Sequence, residues 1–126
     1  MIPTSIMLVE DSPDDEFIAM RILRKAGITE IRVARDGQEA LDMLLSSEKP
    51  LPDLLLLDLR LPKIDGLKVL ETLRQQKRTE ALPVIILSSS EDPHDRDLCS
   101  QFGVRMFLGK PLEIKSFQQT LAKIPC

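Results

Sequence analysis

The chain has 126 residues, the length of one ordinary domain, and such a domain hides roughly two-thirds of its unfolded surface without covalent staples. Hydrophobic residues at 43% and charged residues at 29% are ordinary for a soluble globule, and no apolar run approaches membrane-spanning length. A net charge of −3 argues against nucleic acid as the main partner, and two cysteines without metal-site spacing, Cys99 and Cys126, exclude a disulfide framework.

Taken in order, residues 5–9 (Ser-Ile-Met-Leu-Val) form a short apolar run expected as a buried strand, ending in Glu10-Asp11. No basic region precedes this run, so no signal peptide is expected. With thiols reduced by default, the expected compartment is the cytoplasm. Ser12 is expected to cap a helix, with Pro13 at its first position and Asp14, Asp15 and Glu16 where the helix dipole favours acids. That helix should run to about Ala26 and stop at Gly27. Residues 31–34 read as a second strand, Asp36-Gly37 leads into a helix through Ala40, Leu41, Leu44 and Leu45, and 46–52 is loop. Four leucines ending in a carboxylate, 54–58, lie between Pro52 and Pro62 and read as a strand buried on both faces. Asp65-Gly66 turns into a helix with Leu67, Leu70 and Leu73 on one face. Strand 84–87 ends in Ser88-Ser89-Ser90, and Asp92-Pro93 starts a helix carrying Leu98 and Phe102 that ends at Gly103. Residues 104–108 are the last expected strand. Lys110-Pro111 leads into a final helix with Ile114, Phe117, Leu121 and Ile124 at core spacing.

Strand and helix alternate five times with no linker, so residues 1–126 are expected to be a single domain. The expected fold is α/β: a (βα)5 unit with a parallel sheet, right-handed crossovers and helices on both faces. In such a sheet every strand points its C-terminal end to one edge, where ligands bind. Strand one delivers Glu10 and Asp11 there, strand three Asp58, strand four Ser88 and strand five Lys110. Two carboxylates ~4 Å apart repel by about 4 kcal/mol at an effective dielectric near 20. Lys110 supplies one positive charge, and hard oxygen ligands suit Mg²⁺ for the remainder. A cation, an amine and a hydroxyl around one carboxylate are complementary to a phosphoryl group, with Asp58 attacking in line.

These residues, Glu10-Asp11, Asp58 with Leu61-Pro62 and Asp65-Gly66, Ser88, and Lys110-Pro111, resemble the receiver domain of two-component response regulators over nearly the whole chain. The resemblance implies a flavodoxin-like sheet of order 2-1-3-4-5. It implies that Asp58 accepts phosphate from a phosphohistidine on a sensor histidine kinase or phosphotransfer protein, as a phosphoprotein in a phosphorelay. Asp11 and Asp58 would bind Mg²⁺ directly with the backbone carbonyl of Arg60, Glu10 would help through water, Lys110 would contact the phosphoryl group, and Ser88 and Phe107 would form the switch pair. Members of the family commonly dimerise or bind downstream targets across the fourth helix, fifth strand and fifth helix. The stretches 9–13 and 87–90 also resemble single-domain receivers that serve bacterial phytochrome kinases. Glu10, Ser88 and Phe107 stand where aspartate, threonine and tyrosine are common, and Gly109 is expected to loosen the segment before Lys110.

Such a module catalyses phosphorylation and dephosphorylation only of itself. A haloacid-dehalogenase-type phosphatase also uses a strand-end aspartate but needs a second one two residues later, where this chain has Arg60. A non-switching receiver scaffold is the third reading; flavin binding lacks support at 3% aromatic residues. On the first helix, Ile18, Ala19, Ile22, Leu23 and Ala26 are expected to face the sheet. Phe17 and Met20 fall opposite, either as a kinase-docking patch or tucked against the last helix. His94 reads as a surface residue and Cys99 as helix packing. The phosphoryl reading requires Lys110 beside Asp58, and Asp58 within reach of solvent.

Overall fold

Leu54–Leu57 forms the central strand of a five-stranded sheet, and its side chains alternate between two separate cores. The computed structural model describes residues 3–89, 93–104 and 106–124; Ser90, Asp92, Arg105 and Cys126, which fall in segments read above, lie outside them. The elements are β1 (Ser5–Val9), α1 (Pro13–Lys25), β2 (Glu30–Ala34), α2 (Gly37–Leu44), β3 (Leu54–Leu57), α3 (Gly66–Gln75), β4 (Val84–Ser88), α4 (Pro93–Gln101), β5 (Phe107–Gly109) and α5 (Ile114–Leu121). All pairings are parallel, in the order β2-β1-β3-β4-β5, as the flavodoxin-like expectation required.

Leu55 and Leu57 join Met7, Val9 and Ile86 under α2 and α3, through Ala40, Leu41, Leu44, Val69, Leu70 and Leu73. Leu54 and Leu56 join Ile6, Leu8, Ile85 and Leu87 under α1 and α5, through Ala19, Leu23, Phe117 and Leu121. An unbroken leucine run is what a strand covered on both faces needs, because each successive side chain enters the opposite core. Three helices begin on side-chain caps: Ser12 Oγ accepts from the Asp15 N–H at 3.3 Å, Asp36 Oδ1 from Glu39 at 2.7 Å, and Asp65 Oδ1 from Lys68 at 3.1 Å.

Four local expectations are corrected. β5 begins at Phe107, and Val104 is a buried residue ahead of it. In α3 Val69 is buried and Leu67 only half-buried, because the face turned to the sheet is centred on residues 69–73. In α5 Ile114 is half-buried while Thr120 joins Phe117 and Leu121 inside. In α1 the buried axis is Ala19–Leu23. At 100° per residue Met20 and Ile22 lie about 80° to either side of that axis and Phe17 about 140° away. Met20 and Ile22 accordingly pack half-buried against the core, Ile18 is displaced from it, and Phe17 is 66% exposed.

Polar ties that no periodicity reveals hold the sheet's lower edge and the loops beneath it. Asp53 Oδ2 accepts from the Thr4 N–H and hydroxyl, both at 2.9 Å, and from the Ser5 N–H at 3.3 Å, joining the starts of β1 and β3. The Arg74 guanidinium donates to the carbonyls of Phe102, Thr79 and Leu82, joining α3 to the chain before β4 and after α4. Gly66 permits a close approach: a Cβ there would sit 2.3 Å from the Asp58 carbonyl oxygen. Gly109 has no such constraint, since a Cβ would meet nothing within 4 Å and its φ is not left-handed, so its backbone does not need glycine.

Two outcomes follow for stability. Hydrogen bonds from Thr4 and Ser5 hold the Asp53 carboxyl below its ordinary value of 3.8, so its stabilising contribution is present above that pH and is lost as pH falls through the lowered value. Asp53→Ala should cost about 1 kcal/mol at neutral pH, with the difference from wild type shrinking below pH 4 in urea melts. In the same assay Gly66→Ala should cost about 1–3 kcal/mol by overpacking against Asp58, whereas Gly109→Ala should stay within about 0.5 kcal/mol of wild type.

Candidate functional site

The strand register sets the rim residues side by side. Val9 pairs with Leu57, so the next residues, Glu10 and Asp58, follow in step on neighbouring strands. The Asp58 N–H donates to the Val9 carbonyl at 3.1 Å and the Glu10 N–H to that of Ala34 at 2.9 Å, continuing the ladder one residue past the strand ends. Ser88 pairs with Gly109, and the Lys110 N–H donates to the Ser88 carbonyl at 3.3 Å. The peptide between Lys110 and Pro111 is cis.

The Lys110 amine lies at the centre. Its Nζ is 2.6 Å from Asp58 Oδ2, 2.6 Å from Glu10 Oε1 and 3.4 Å from Asp15 Oδ2. Burial pulls the Lys110 pKa down, but the hydrogen bond to Asp58, the close Glu10 carboxylate and the charges of both outweigh it and leave the pKa raised. The amine is therefore charged throughout the physiological range; its contribution to stability is full below 10.5 and is lost as pH rises through the raised value.

Glu10 is fully buried, and burial pushes its carboxyl pKa up despite Lys110 and the Ser12 N–H, which donates to Oε2 at 3.1 Å. Its Oε1 is close to Lys110 but off the line of a directed hydrogen bond and has no other donor among the described residues. Carboxylate oxygens of Glu10, Asp11 and Asp58 all lie within 4.8 Å of one another. Three acids, Glu10, Asp15 and Asp58, thus pair with one lysine, Asp11 adds a further carboxylate beside Glu10 and Asp58, and a buried oxygen without a directed hydrogen bond is among them. This donor set fits a hard divalent cation: all-oxygen, compact and short of positive charge.

Asp58 departs from one expectation. It is only 3% exposed, where the sequence reading called for a solvent-reachable carboxylate. The reason is local: Oδ2 is taken by Lys110, and Oδ1 accepts the Arg60 N–H at 3.0 Å. The Asp58 carboxylate is thus held nearly closed by the Lys110 amine.

The remaining sequence-derived residues fall as follows. Asp11 is exposed at the rim and Ser88 is buried at the end of β4. Phe107 is half-buried on β5, with the Arg96 guanidinium carbon 4.9 Å from its ring centroid. Phe17 and Met20 lie further along α1 than Asp15, where they line an open surface cavity of about 340 Å³ with Arg21, Arg24 and Lys25. Met20 is corrected from a solvent-facing residue to a half-buried one, so Phe17 alone is strongly exposed. His94 is exposed, and Cys99 is buried with its thiol pushed up to about 11 by burial and by Asp95. Sequence reasoning assigned Asp15 only to the helix dipole and missed its contact with Lys110. It also missed the pair between Arg60 Nη2 and Asp95 Oδ2 at 2.9 Å. The acid three residues into the first turn was the only available signal for Asp15; the second pair spans 35 residues and had none.

No helix among the described residues is long and apolar enough to cross a membrane. Comparison with known proteins gives a consistent assignment. The family model described as the response regulator receiver domain matches residues 6–122. The probable methanogenesis regulatory protein FilR2 of Methanothrix harundinacea is 37% identical over 126 residues, spanning 97% of this chain and 81% of its own. Response regulator Rcp1 of Synechocystis sp. is 34% identical over 118 residues, spanning 90% of this chain and 80% of its own. The solved Mn²⁺-bound form of Rcp1 matches with a TM-score of 0.80 at 32% identity, over 95% of this chain and 91% of that one. The bacteriophytochrome response regulator AtBRR matches with a TM-score of 0.84 at 37% identity, over 94% and 90%. With the sheet order, the acidic rim and the lysine already in place, the chain belongs to the response regulator receiver domain family of two-component systems.

Proposed function

We propose that residues 1–126 act as a single receiver domain in which Asp58 accepts a phosphoryl group from a phosphohistidine of a sensor histidine kinase or phosphotransfer protein. The observation that carries this reading is the Lys110 amine 2.6 Å from Asp58 Oδ2, beside three carboxylates whose oxygens lie within 4.8 Å of one another. A carboxylate oxygen of Asp58 forms the new O–P bond as the P–N bond breaks in line, and the electron pair stays on the imidazole nitrogen. Lys110 exchanges Asp58 Oδ2 for a phosphoryl oxygen, which opens the nearly closed carboxylate without leaving the amine unpaired. Ser88 supplies a hydroxyl to a second phosphoryl oxygen. Glu10, Asp11, Asp58 and the Arg60 carbonyl would hold Mg²⁺, which supplies positive charge to the transferring oxygens. Hydrolysis reverses the modification: a water oxygen bonds to phosphorus, and the carboxylate leaves with the electron pair. The module has no substrate besides itself.

Output passes to a downstream protein, or to a second copy, through α4, β5 and α5, with Ser88 and Phe107 as the switch pair. Phe107 carries no hydroxyl, so its change of position is read through packing, including the Arg96 contact. The exposed Phe17, flanked by Arg21 and Arg24 with Met20 beneath, is the surface proposed for the kinase. On the sequence grounds given above, this chemistry is placed in the cytoplasm.

Acetyl phosphate with Mg²⁺ should add one phosphoryl group to wild type, read by Phos-tag gel and intact mass. Asp58→Asn should gain none, Lys110→Ala should label at least tenfold more slowly, and chelation should abolish labelling; a labelled Asp58→Asn would overturn the assignment. Turnover of a generic phosphate ester should be absent. Phe17→Ala should slow transfer from the kinase severalfold while leaving acetyl phosphate labelling unchanged; equal loss with both donors would show that the effect is not docking.

A further inference from the structure

Arg60 faces two ways. Its backbone N–H donates to Asp58 Oδ1 at 3.0 Å, and its guanidinium, on a side chain 67% exposed, is paired at 2.9 Å with Asp95 on the first turn of α4. The Asp95 side chain is 12% exposed, and Asp95 and Cys99 are the buried residues of α4. α4 thus buries one thiol and one carboxylate, with Leu98 half-buried and Phe102 packed on the core just past its end, a thin apolar attachment for a nine-residue helix. The next residue, Arg96, lies over the Phe107 ring of β5. A single turn of α4 therefore grips the segment after β3 with one side chain and β5 with its neighbour.

We propose that the Arg60–Asp95 pair is an exchange latch: phosphorylation of Asp58 draws the Arg60 guanidinium from Asp95 to the phosphoryl group and releases the first turn of α4. The inference rests on the phosphoacceptor reading of Asp58. A carboxylate offers one negative charge, whereas a phosphoryl group offers nearly two and three acceptor oxygens. A guanidinium engages such oxygens with two parallel donors. Arg60 is two residues from Asp58 on the same segment, so the competing acid arises beside it while Asp95 stays on another element. Losing Arg60 loosens the turn that also carries Arg96, and the change reaches Phe107 without a tyrosine hydroxyl. The acid on α4 thereby competes with the modification itself for one cation, the Arg60 guanidinium.

The competition has a signature that a merely structural ion pair lacks. Removing Asp95 frees Arg60 for the phosphoryl group, whereas removing Arg60 deprives the phosphoryl group of its partner. Wild type, Asp95→Asn, Arg60→Ala and Arg60→Lys would be compared as full chains with acetyl phosphate and Mg²⁺. Phosphorylated lifetime would be read by Phos-tag gel, and α4 amide exchange by mass spectrometry. Asp95→Asn should lengthen the phosphorylated lifetime and Arg60→Ala shorten it, each by roughly two- to fivefold, the size of an exposed ion pair. Arg60→Lys, charged but without the fork, should fall between Arg60→Ala and wild type. Exchange in 93–101 should rise on phosphorylation in wild type, and should already be raised in unphosphorylated Asp95→Asn and Arg60→Ala. Lifetimes moving in the same direction in those two variants, or unphosphorylated α4 exchange equal to wild type, would overturn the latch while leaving the phosphoacceptor intact. No labelling of wild type would instead overturn the phosphoacceptor reading, and the latch with it.

Discussion

One ammonium group holds the rim of this sheet together. Lys110 Nζ meets carboxylate oxygens of Glu10 and Asp58 at 2.6 Å each, with Asp15 at 3.4 Å. Burying Glu10 completely is costly for a charged group, and its raised pKa records that cost. The lysine offsets it only in part, because three acids share one amine and Glu10 Oε1 receives no directed hydrogen bond among the described residues. The resting site is thus strained electrostatically in one direction, toward taking up positive charge. Lys110 is buried enough to be held in place and paired closely enough to stay charged.

That arrangement depends on the sheet being parallel and in register. The pairing of Val9 with Leu57 sets Glu10 and Asp58 side by side, and the pairing of Ser88 with Gly109 brings Lys110 to the same edge. The leucines of β3 serve this end indirectly. By filling two cores in alternation they bury the central strand on both faces, while the polar residues flanking the run, Asp53 bonded to Thr4 and Ser5 and Asp58 at the rim, mark its register. Gly66 then lets the start of α3 close against the Asp58 backbone, and its N–H donates to the Leu59 carbonyl, tying the helix start to the chain just past the rim.

The two helices that present surfaces differ in how they are attached. α1 lies against its core through Ala19 and Leu23, flanked by Met20 and Ile22, and its exposed side carries Phe17 among arginines. α4 is attached through Cys99 and through the ion pair of Asp95 with Arg60. An apolar attachment responds weakly to a new charge at the rim. An ionic attachment made to a residue whose backbone also bonds Asp58 is directly exposed to a change of charge there, so the two helices differ in chemistry as well as position.

Much of this was legible in the order of residues. Strands and helices alternate with distinct periods, so the (βα)5 plan could be read, and a parallel plan forces strand-end residues to one edge; Glu10, Asp11, Asp58, Ser88 and Lys110 follow from that logic. Periodicity also located α1, but not which arc of it is buried, because apolar residues surround most of its circumference and only packing against β1 and α5 selects the Ala19–Leu23 axis. The near closure of Asp58, the third acid on Lys110 and the Arg60–Asp95 pair were out of reach for a different reason. They are contacts between polar side chains distant in sequence, each chemically ordinary where it stands. Local pattern reports which face of an element is apolar; which charge meets which is decided only when the helices settle on the sheet.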